Sequence, residues 1–116
     1  MTEILLNWLN NDIKLSKNIT DIPNDFRTGY YFAELLNKTN HLPILSSYKN
    51  TSDQKDIIQN LHKLQKNLQD IGIYLNEQCK NKIMNSDIYT SKIYLFNIQK
   101  LLENKNINLQ QLYFKN

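Results

Sequence analysis

Cysteine, glycine and histidine are scarce in this chain of 116 residues, and each scarcity excludes a class of site. Cys79 is the single cysteine, so no intrachain disulfide forms, and nothing in the sequence indicates an oxidising compartment. Two glycines are too few for a Gly-rich phosphate-binding loop. His41, His62 and Cys79 share no metal-ligand spacing, so the sequence predicts no metal site.

Paired catalytic groups are missing as well. Asp25 and Glu34 fall on different faces of the helix predicted around them, so they do not form a carboxylate pair. A Cys–His nucleophilic pair requires a third residue to orient the base, and the sequence indicates none. The chain is therefore predicted to be no enzyme and to bind no cofactor.

Arginine is nearly absent, since Arg27 is the only one among fourteen basic residues, and the net charge is only +3. Arginine is the preferred side chain for bidentate contacts with phosphates and bases, so the sequence argues against nucleic-acid recognition. No apolar run approaches the ~18 residues of a membrane span, and no secretory signal is visible. We therefore expect neither a nucleic acid nor a membrane as a partner.

Apolar residues recur at helical spacing along most of the chain, and no stretch alternates as a strand does. Hydrophobic residues make up 41% and charged residues 22%, as in a soluble globular domain. The pattern predicts an all-α fold, a compact bundle of four main helices plus short ones around a buried C-terminal helix. We expect one domain over residues 1–104 and a polar tail, or the start of a linker, over 105–116. The predicted helices span residues 2–11, 23–38, 52–70, 76–84 and 88–102.

The second of these helices is predicted to be the packing centre. Its small residues Gly29 and Ala33 lie one turn apart on an apolar face, with Phe26, Tyr30 and Leu36. Glycine inside a helix costs roughly 1 kcal/mol relative to alanine, and a close crossing with a neighbouring helix would explain it. Arg27, Thr28, Tyr31, Glu34 and Lys38 are placed on the opposite face.

Lysines supply the candidate binding surface. Lys63 and Lys66 lie one turn apart on the third helix, and Lys80 and Lys82 follow on the next short helix. Lys14 and Lys17 form a second small group. Such lysines suit an acidic polymer or an acidic tail, and the alternative is a solvated face in a lysine-rich chain.

The order of these elements resembles the calponin-homology (CH) domain, and specifically its divergent branch in flagellar proteins. The resemblance covers about residues 2–103. It is carried by four stretches: Leu5-Leu6-Asn7-Trp8-Leu9-Asn10, residues 25–36 with Phe26-x-x-Gly29-Tyr30 and Glu34-Leu35-Leu36, Asn60-Leu61 through Ile71-Gly72-Ile73, and residues 87–102. The resemblance carries over structural positions only, namely Trp8, Phe26, Gly29, Leu61, Gly72 and Leu95.

The resemblance implies a non-enzymatic cytoskeletal module of a ciliary or flagellar axoneme, in the cytoplasm. Single divergent domains of this kind are associated with microtubules, whereas strong actin binding usually comes from tandem pairs, so F-actin is disfavoured. Tubulin and neighbouring central-apparatus proteins are the expected partners, and the chain is expected to be the first domain of a longer protein or a short relative of one. An adaptor without direct filament contact is the alternative, using an apolar patch around Tyr31 and Tyr113-Phe114.

Overall fold

The computed structural model describes the backbone of residues 2–115 and the side chains of residues 2–103. It is 66% helical, and no strand occurs in the described range. The predicted all-α fold is thereby confirmed. The six α-helices are α1 Thr2–Asn7, α2 Ile22–Asp25, α3 Tyr30–Lys38, α4 Gln54–Asp70, α5 Glu77–Met84 and α6 Thr90–Lys115. A π-helical segment (Trp8–Ile13) follows α1, and a short 3-10 turn (Leu45–Ser47) precedes α4.

The first predicted helix, over residues 2–11, is α-helical only in its first half. After Asn7 the backbone widens into the π-helical segment, which ends where Lys14 adopts a left-handed conformation (φ 62°). Leu5 and Leu9 are fully buried, and Trp8 is half-buried and packs against the core. The side chain of Asn10 then fixes the following loop, since its amide donates to the Ile19 carbonyl (2.9 Å) and its oxygen accepts from the Ile19 amide (2.7 Å).

The prediction of one central helix over residues 23–38 is wrong, because this stretch forms two helices, α2 and α3. The chain turns after α2, and Gly29 lies at the N-terminus of α3 with φ 80°, a left-handed conformation that would break a continuous helix. The close approach expected of Gly29 is nevertheless present: an added Cβ would lie 3.1 Å from Leu61 Cδ2 and 3.3 Å from Asn60 Cβ. Glu34 is also misplaced by the sequence pattern, since it is buried and its carboxylate accepts from the Ser16 amide at 3.1 Å.

Helix α4 spans nearly the range predicted, and Asp53 caps its N-terminus, since the Asp53 carboxylate accepts from the Lys55 amide (2.8 Å). Gly72 follows its last turn with φ 88° and stops the helix as expected. Gly72 does not belong to the core, however, because it is exposed and an added Cβ would meet nothing within 4 Å.

Helix α6 begins after a turn that Asp87 holds, since its carboxylate accepts from the backbone amide of Thr90 at 3.0 Å. The helix continues to Lys115, beyond the predicted end near residue 102. It packs against α1, α2 and α5 through Leu95 and Ile98, which are fully buried. The C-terminal helix is buried on the side that carries these residues, whereas Tyr89 just before it and Ile93 within it are exposed.

A single hydrophobic cluster joins all six helices, and Phe26, Phe32 and Leu64 are among its fully buried members. Two polar side chains link the helices and loops around this cluster. Asn60, buried on α4, donates to the carbonyls of Thr28 (3.0 Å) and Lys49 (2.7 Å). Arg27 donates through Nε to the Met84 carbonyl at the end of α5 (3.2 Å). The core therefore fixes which faces of α4, α5 and α6 point to solvent.

Candidate binding surfaces on helices α4, α5 and α6

A groove of about 440 Å³ runs between α4 and α5. Ile58 and Leu61 of α4 and Met84 of α5 supply its apolar wall. Lys63 and Lys80 line it as well, so the structure brings these two predicted lysines to one place. The groove is mixed in charge, because Glu77 lies beside Lys80.

The outward ridge of α4 is formed by Lys55, Gln59, His62 and Lys66, which recur at helical spacing and are all exposed. Lys63 is exposed beside this ridge, and its ammonium donates to the Ser47 carbonyl. Among the side chains described, Lys55, Lys63 and Lys66 form no ion pair. We call these three lysines the α4 basic surface; Lys55 extends the predicted Lys63–Lys66 pair by about two turns toward the N-terminus of α4.

Lys80 does not join this surface, contrary to expectation. Its side chain is buried, its ammonium donates to Gln65 Oε1 (2.9 Å) and it pairs with Glu77 Oε1 (2.6 Å). A lysine held by two protein partners has no free charge for another molecule. Lys80 therefore couples α5 to α4, and its predicted role in partner binding is not supported by its position.

Lys82 points to the other side of α5, because residues two apart on a helix lie on roughly opposite faces. It lines a separate cleft between α5 and α6. The four lysines predicted as one group are thus divided between two surfaces. The sequence spacing alone could not show this, since it does not give the rotation of α5 against α4.

The second predicted group is also divided. Lys14 is exposed at the end of the π-helical segment, whereas the Lys17 ammonium contacts Asp25 Oδ1 at 2.6 Å. The hydrogen bond to Asp25 raises the pKa of Lys17. Burial alone would raise the pKa of Asp25, but hydrogen bonds from Lys17 and from the backbone amides of Asp21 and Thr20 outweigh it and lower that pKa. Lys17 therefore has a structural role, because its ammonium is paired with Asp25.

The apolar patch of the adaptor alternative is described only in part. Tyr31 is half-buried, with its ring 6.2 Å from that of Phe26 and 5.3 Å from that of Tyr30. The side chains of Tyr113 and Phe114 lie outside the described residues. Large apolar side chains are exposed at several places in the described range, and three of them lie around the start of α6 and in the loop before α5, namely Tyr74, Tyr89 and Ile93.

No group of three or more His, Cys, Asp or Glu residues in the described part of the chain is arranged to hold a metal ion. No helix within that part combines the length and the apolarity needed to cross a membrane.

Comparison with known proteins gives one match. The family described as a CH-like domain in sperm protein matches residues 5–100, which is most of the chain and includes every element from α1 to the first part of α6. No curated protein and no solved structure matches the chain significantly. CH-like domains are generally non-enzymatic binding modules, and their presence indicates a cytoskeleton-related interaction role.

Proposed function

We propose that this chain, which belongs to the family of CH-like domains in sperm proteins, binds microtubules directly as a module of a ciliary or flagellar axoneme. The observation that carries the proposal is the α4 basic surface. Three exposed lysines without ion pairs, Lys55, Lys63 and Lys66, extend along one side of a rigid helix. Tubulin presents an acidic surface, and such a stripe is complementary to it in charge.

The mechanism is electrostatic attraction to a preformed surface. Helix α4 is held by the core and by the hydrogen bonds of Asn60, so the spacing of its lysines is fixed before binding. Ammonium groups on flexible stems adapt to a repeating acidic lattice and require no bidentate geometry, which fits the scarcity of arginine. Binding of this kind weakens as salt rises, since the Debye length falls from about 10 Å at 0.1 M to about 3 Å at 1 M.

The axonemal setting is supported by resemblance in sequence. The opening of the chain, with Trp8-Leu9-Asn10, and the end of the domain are similar to the N-terminal domain of sperm flagellar protein 2, a large central-apparatus protein of motile axonemes. On this reading the chain tethers a scaffold to tubulin or to neighbouring central-apparatus proteins. The description of the matching family as a sperm protein domain agrees with a flagellar location.

Co-sedimentation tests the proposal directly. The purified chain is pelleted with stabilised microtubules and, in parallel, with F-actin across a salt series. We expect pelleting with microtubules that declines as salt rises, and none with F-actin. Absence from both pellets at low salt would contradict direct filament binding.

A second candidate is an axonemal adaptor that contacts proteins other than the filament. The exposed apolar side chains around the start of α6 favour this adaptor function, because a group of large exposed hydrophobic side chains on one surface marks an interaction site. Binding through such a surface persists at high salt, whereas binding through the α4 basic surface does not. The salt series therefore separates the two candidates.

A further inference from the structure

Large apolar side chains are exposed around the start of α6 and in the loop before α5, on the side of the molecule where Lys82 projects. Tyr89 is 69% exposed and Ile93 is 55% exposed, and Tyr74, from the loop before α5, is 74% exposed. Isolated exposed hydrophobic residues are ordinary on protein surfaces, so their number alone means little. The arrangement of these three is more informative.

Two clefts lie side by side here, and Ile93 lines both of them. The first, of about 490 Å³, lies between α5 and α6 and includes Tyr74. The second, of about 280 Å³, lies between α1 and α6 and includes Tyr89 and Phe96. Ile93 is thus an exposed ridge between two apolar depressions. Together they form what we call the α6 double cleft.

The charge of the α6 double cleft has one sign. Lys82 lines the first cleft and Lys92 the second, and no aspartate or glutamate lines either among the residues that the structure describes. Asp87 lies outside both linings and interacts with Lys82, so it offsets part of the Lys82 charge; its carboxylate also accepts hydrogen bonds from the backbone and hydroxyl of Thr90. The groove between α4 and α5 differs, because an acidic residue, Glu77, lines it and pairs with Lys80.

We propose that the α6 double cleft is a docking site for an acidic amphipathic segment of another protein. Such a segment would cross α6 at Ile93, place one apolar side chain in each cleft and direct carboxylates toward Lys82 and Lys92. Peptide helices that dock in grooves use this pattern, with apolar anchors at i and i+3 or i+4. Tyrosines at the rim supply contact area with little loss of conformational freedom.

Charge decides between this partner and a second copy of the chain. A two-fold interface centred on Ile93 would bring Lys82 and Lys92 of one copy toward the same lysines of the other. Like charges brought together in this way are unfavourable, and the net charge of +3 on each copy adds to the repulsion. An acidic segment meets neither obstacle.

The site is separate from the α4 basic surface and does not depend on the microtubule proposal. Lys80 faces the groove toward α4, while Lys82 faces the α6 double cleft, so α5 stands between the two surfaces. A chain with both surfaces would hold an acidic protein segment beside a filament.

The test uses two designed peptides and the whole chain. One labelled amphipathic peptide carries leucines at i, i+4 and i+7 and glutamates on the flanks, and the matched peptide has lysine in place of every glutamate. Fluorescence anisotropy measures binding, and backbone amide shifts in NMR spectra locate it. We expect the glutamate peptide to bind at least about tenfold more tightly than the lysine peptide, with shifts centred on Ile93 and Tyr74.

Matched variants test the location. Ile93→Glu places a charge on the ridge and should abolish binding, whereas Ile58→Glu, an equally exposed isoleucine on α4, should leave it unchanged. Lys82→Glu with Lys92→Glu should reverse the preference toward the lysine peptide. Circular dichroism and thermal unfolding check that each variant remains folded.

Three results would overturn the proposal. The first is failure of the glutamate peptide to bind the unmodified chain. The second is binding that Ile93→Glu leaves intact, or amide shifts that lie along α4 instead. The third is a concentration-dependent dimer that Ile93→Glu dissociates, which would assign the double cleft to a second copy of the chain.

Discussion

Gly29 and Gly72 share a backbone conformation but differ in their surroundings. Both have left-handed φ angles, 80° and 88°, which side chains with a Cβ adopt at a cost. Gly29 also lies against α4, where an added Cβ would be 3.1 Å from Leu61 Cδ2, whereas Gly72 faces open space. Gly29 therefore allows close packing against α4, whereas Gly72 only allows the backbone to turn at the end of α4.

Gly29→Ala should therefore destabilise the fold by more than Gly72→Ala does. Left-handed strain costs each variant about 1–2 kcal/mol in free energy of unfolding. The contact with α4 adds to this at position 29, where overpacking costs about 1–3 kcal/mol more. Urea unfolding of the two variants measures the difference. Equal losses of stability would contradict the close crossing between the α2–α3 turn and α4.

Asp25 makes the stability of the fold depend on pH. Its pKa is lowered below the ordinary value of 3.8, because hydrogen bonds from Lys17, Asp21 and Thr20 outweigh the effect of burial. A carboxyl with a lowered pKa in the folded state adds stability above its unfolded pKa, and that contribution is lost as the pH falls through the folded pKa. The buried position of Asp25 makes its contribution larger than that of a surface ion pair.

We expect Asp25→Asn to reduce the free energy of unfolding at neutral pH by about 1–3 kcal/mol, since hydrogen bonds to a charged group are lost. The variant should also lose less stability than the unmodified chain as the pH falls below about 4. Denaturation curves across that acid range measure both effects. Asp70→Asn, at the exposed end of α4, is the matched control. An acid profile in Asp25→Asn identical to that of the unmodified chain would contradict the assignment.

Asn60 shows what the sequence does not reveal about single residues. Its apolar neighbours Leu61 and Leu64 recur at helical spacing and are buried, whereas Ile58 fits the same apolar pattern and is exposed. The same periodicity cannot show that a polar side chain among them is buried and bonded to two loops, Thr28 and Lys49, that are distant in sequence. Glu34 was misplaced for the same reason, because its partner Ser16 lies in a connecting segment without periodicity.

At the scale of elements, the connection from Lys14 to Asp21 is held by side chains more than by regular structure. Asn10 bonds both backbone groups of Ile19, and Glu34 accepts from Ser16. Ile19 is nearly fully buried, so these bonds also satisfy groups that water cannot reach. The loop is ordered because the π-helical segment places Asn10 beside it.

Asn10→Ala should loosen this connection while leaving the main helices intact. Unsatisfied backbone groups at Ile19 should cost about 1–3 kcal/mol. Amide hydrogen exchange should accelerate across residues 14–20, and exchange within α4 should change less. Asn11→Ala is the matched control, since Asn11 is exposed and bonds only to Asn7. Equal exchange in the two variants would show that Asn10 does not hold the loop.

Element positions were predictable in most of the chain, and the errors have physical causes. α4 and α5 have clear periodicity and a stop or cap at each end, so their ranges were predicted closely. The break before α3 was missed because the left-handed conformation of Gly29 leaves no trace in an apolar pattern that continues across it. The exposed side of α6 was missed because Ile93 and Tyr89 are as apolar as its buried residues.

At the scale of the whole molecule, the fold separates two surfaces that the sequence presents as one lysine group. The α4 basic surface carries the exposed lysines that we propose bind an acidic filament, and the α6 double cleft pairs apolar depressions with Lys82 and Lys92. The core places α5 between them, with Lys80 directed inward. The grouping of these lysines therefore follows from packing, which no spacing in the sequence encodes.

The central claim is that the α4 basic surface binds microtubules, and charge reversal there tests it most directly. Lys63→Glu with Lys66→Glu is compared in microtubule co-sedimentation with Lys38→Glu and Lys100→Glu, exposed lysines outside both proposed surfaces whose reversal changes the net charge equally. We expect the first pair to weaken binding by about tenfold or more, equivalent to 1.4 kcal/mol, and the second pair to have little effect. Circular dichroism confirms folding, and Lys66→Glu alone avoids the contact of Lys63 with Ser47. Unchanged microtubule affinity in a folded Lys63→Glu/Lys66→Glu variant would contradict the claim.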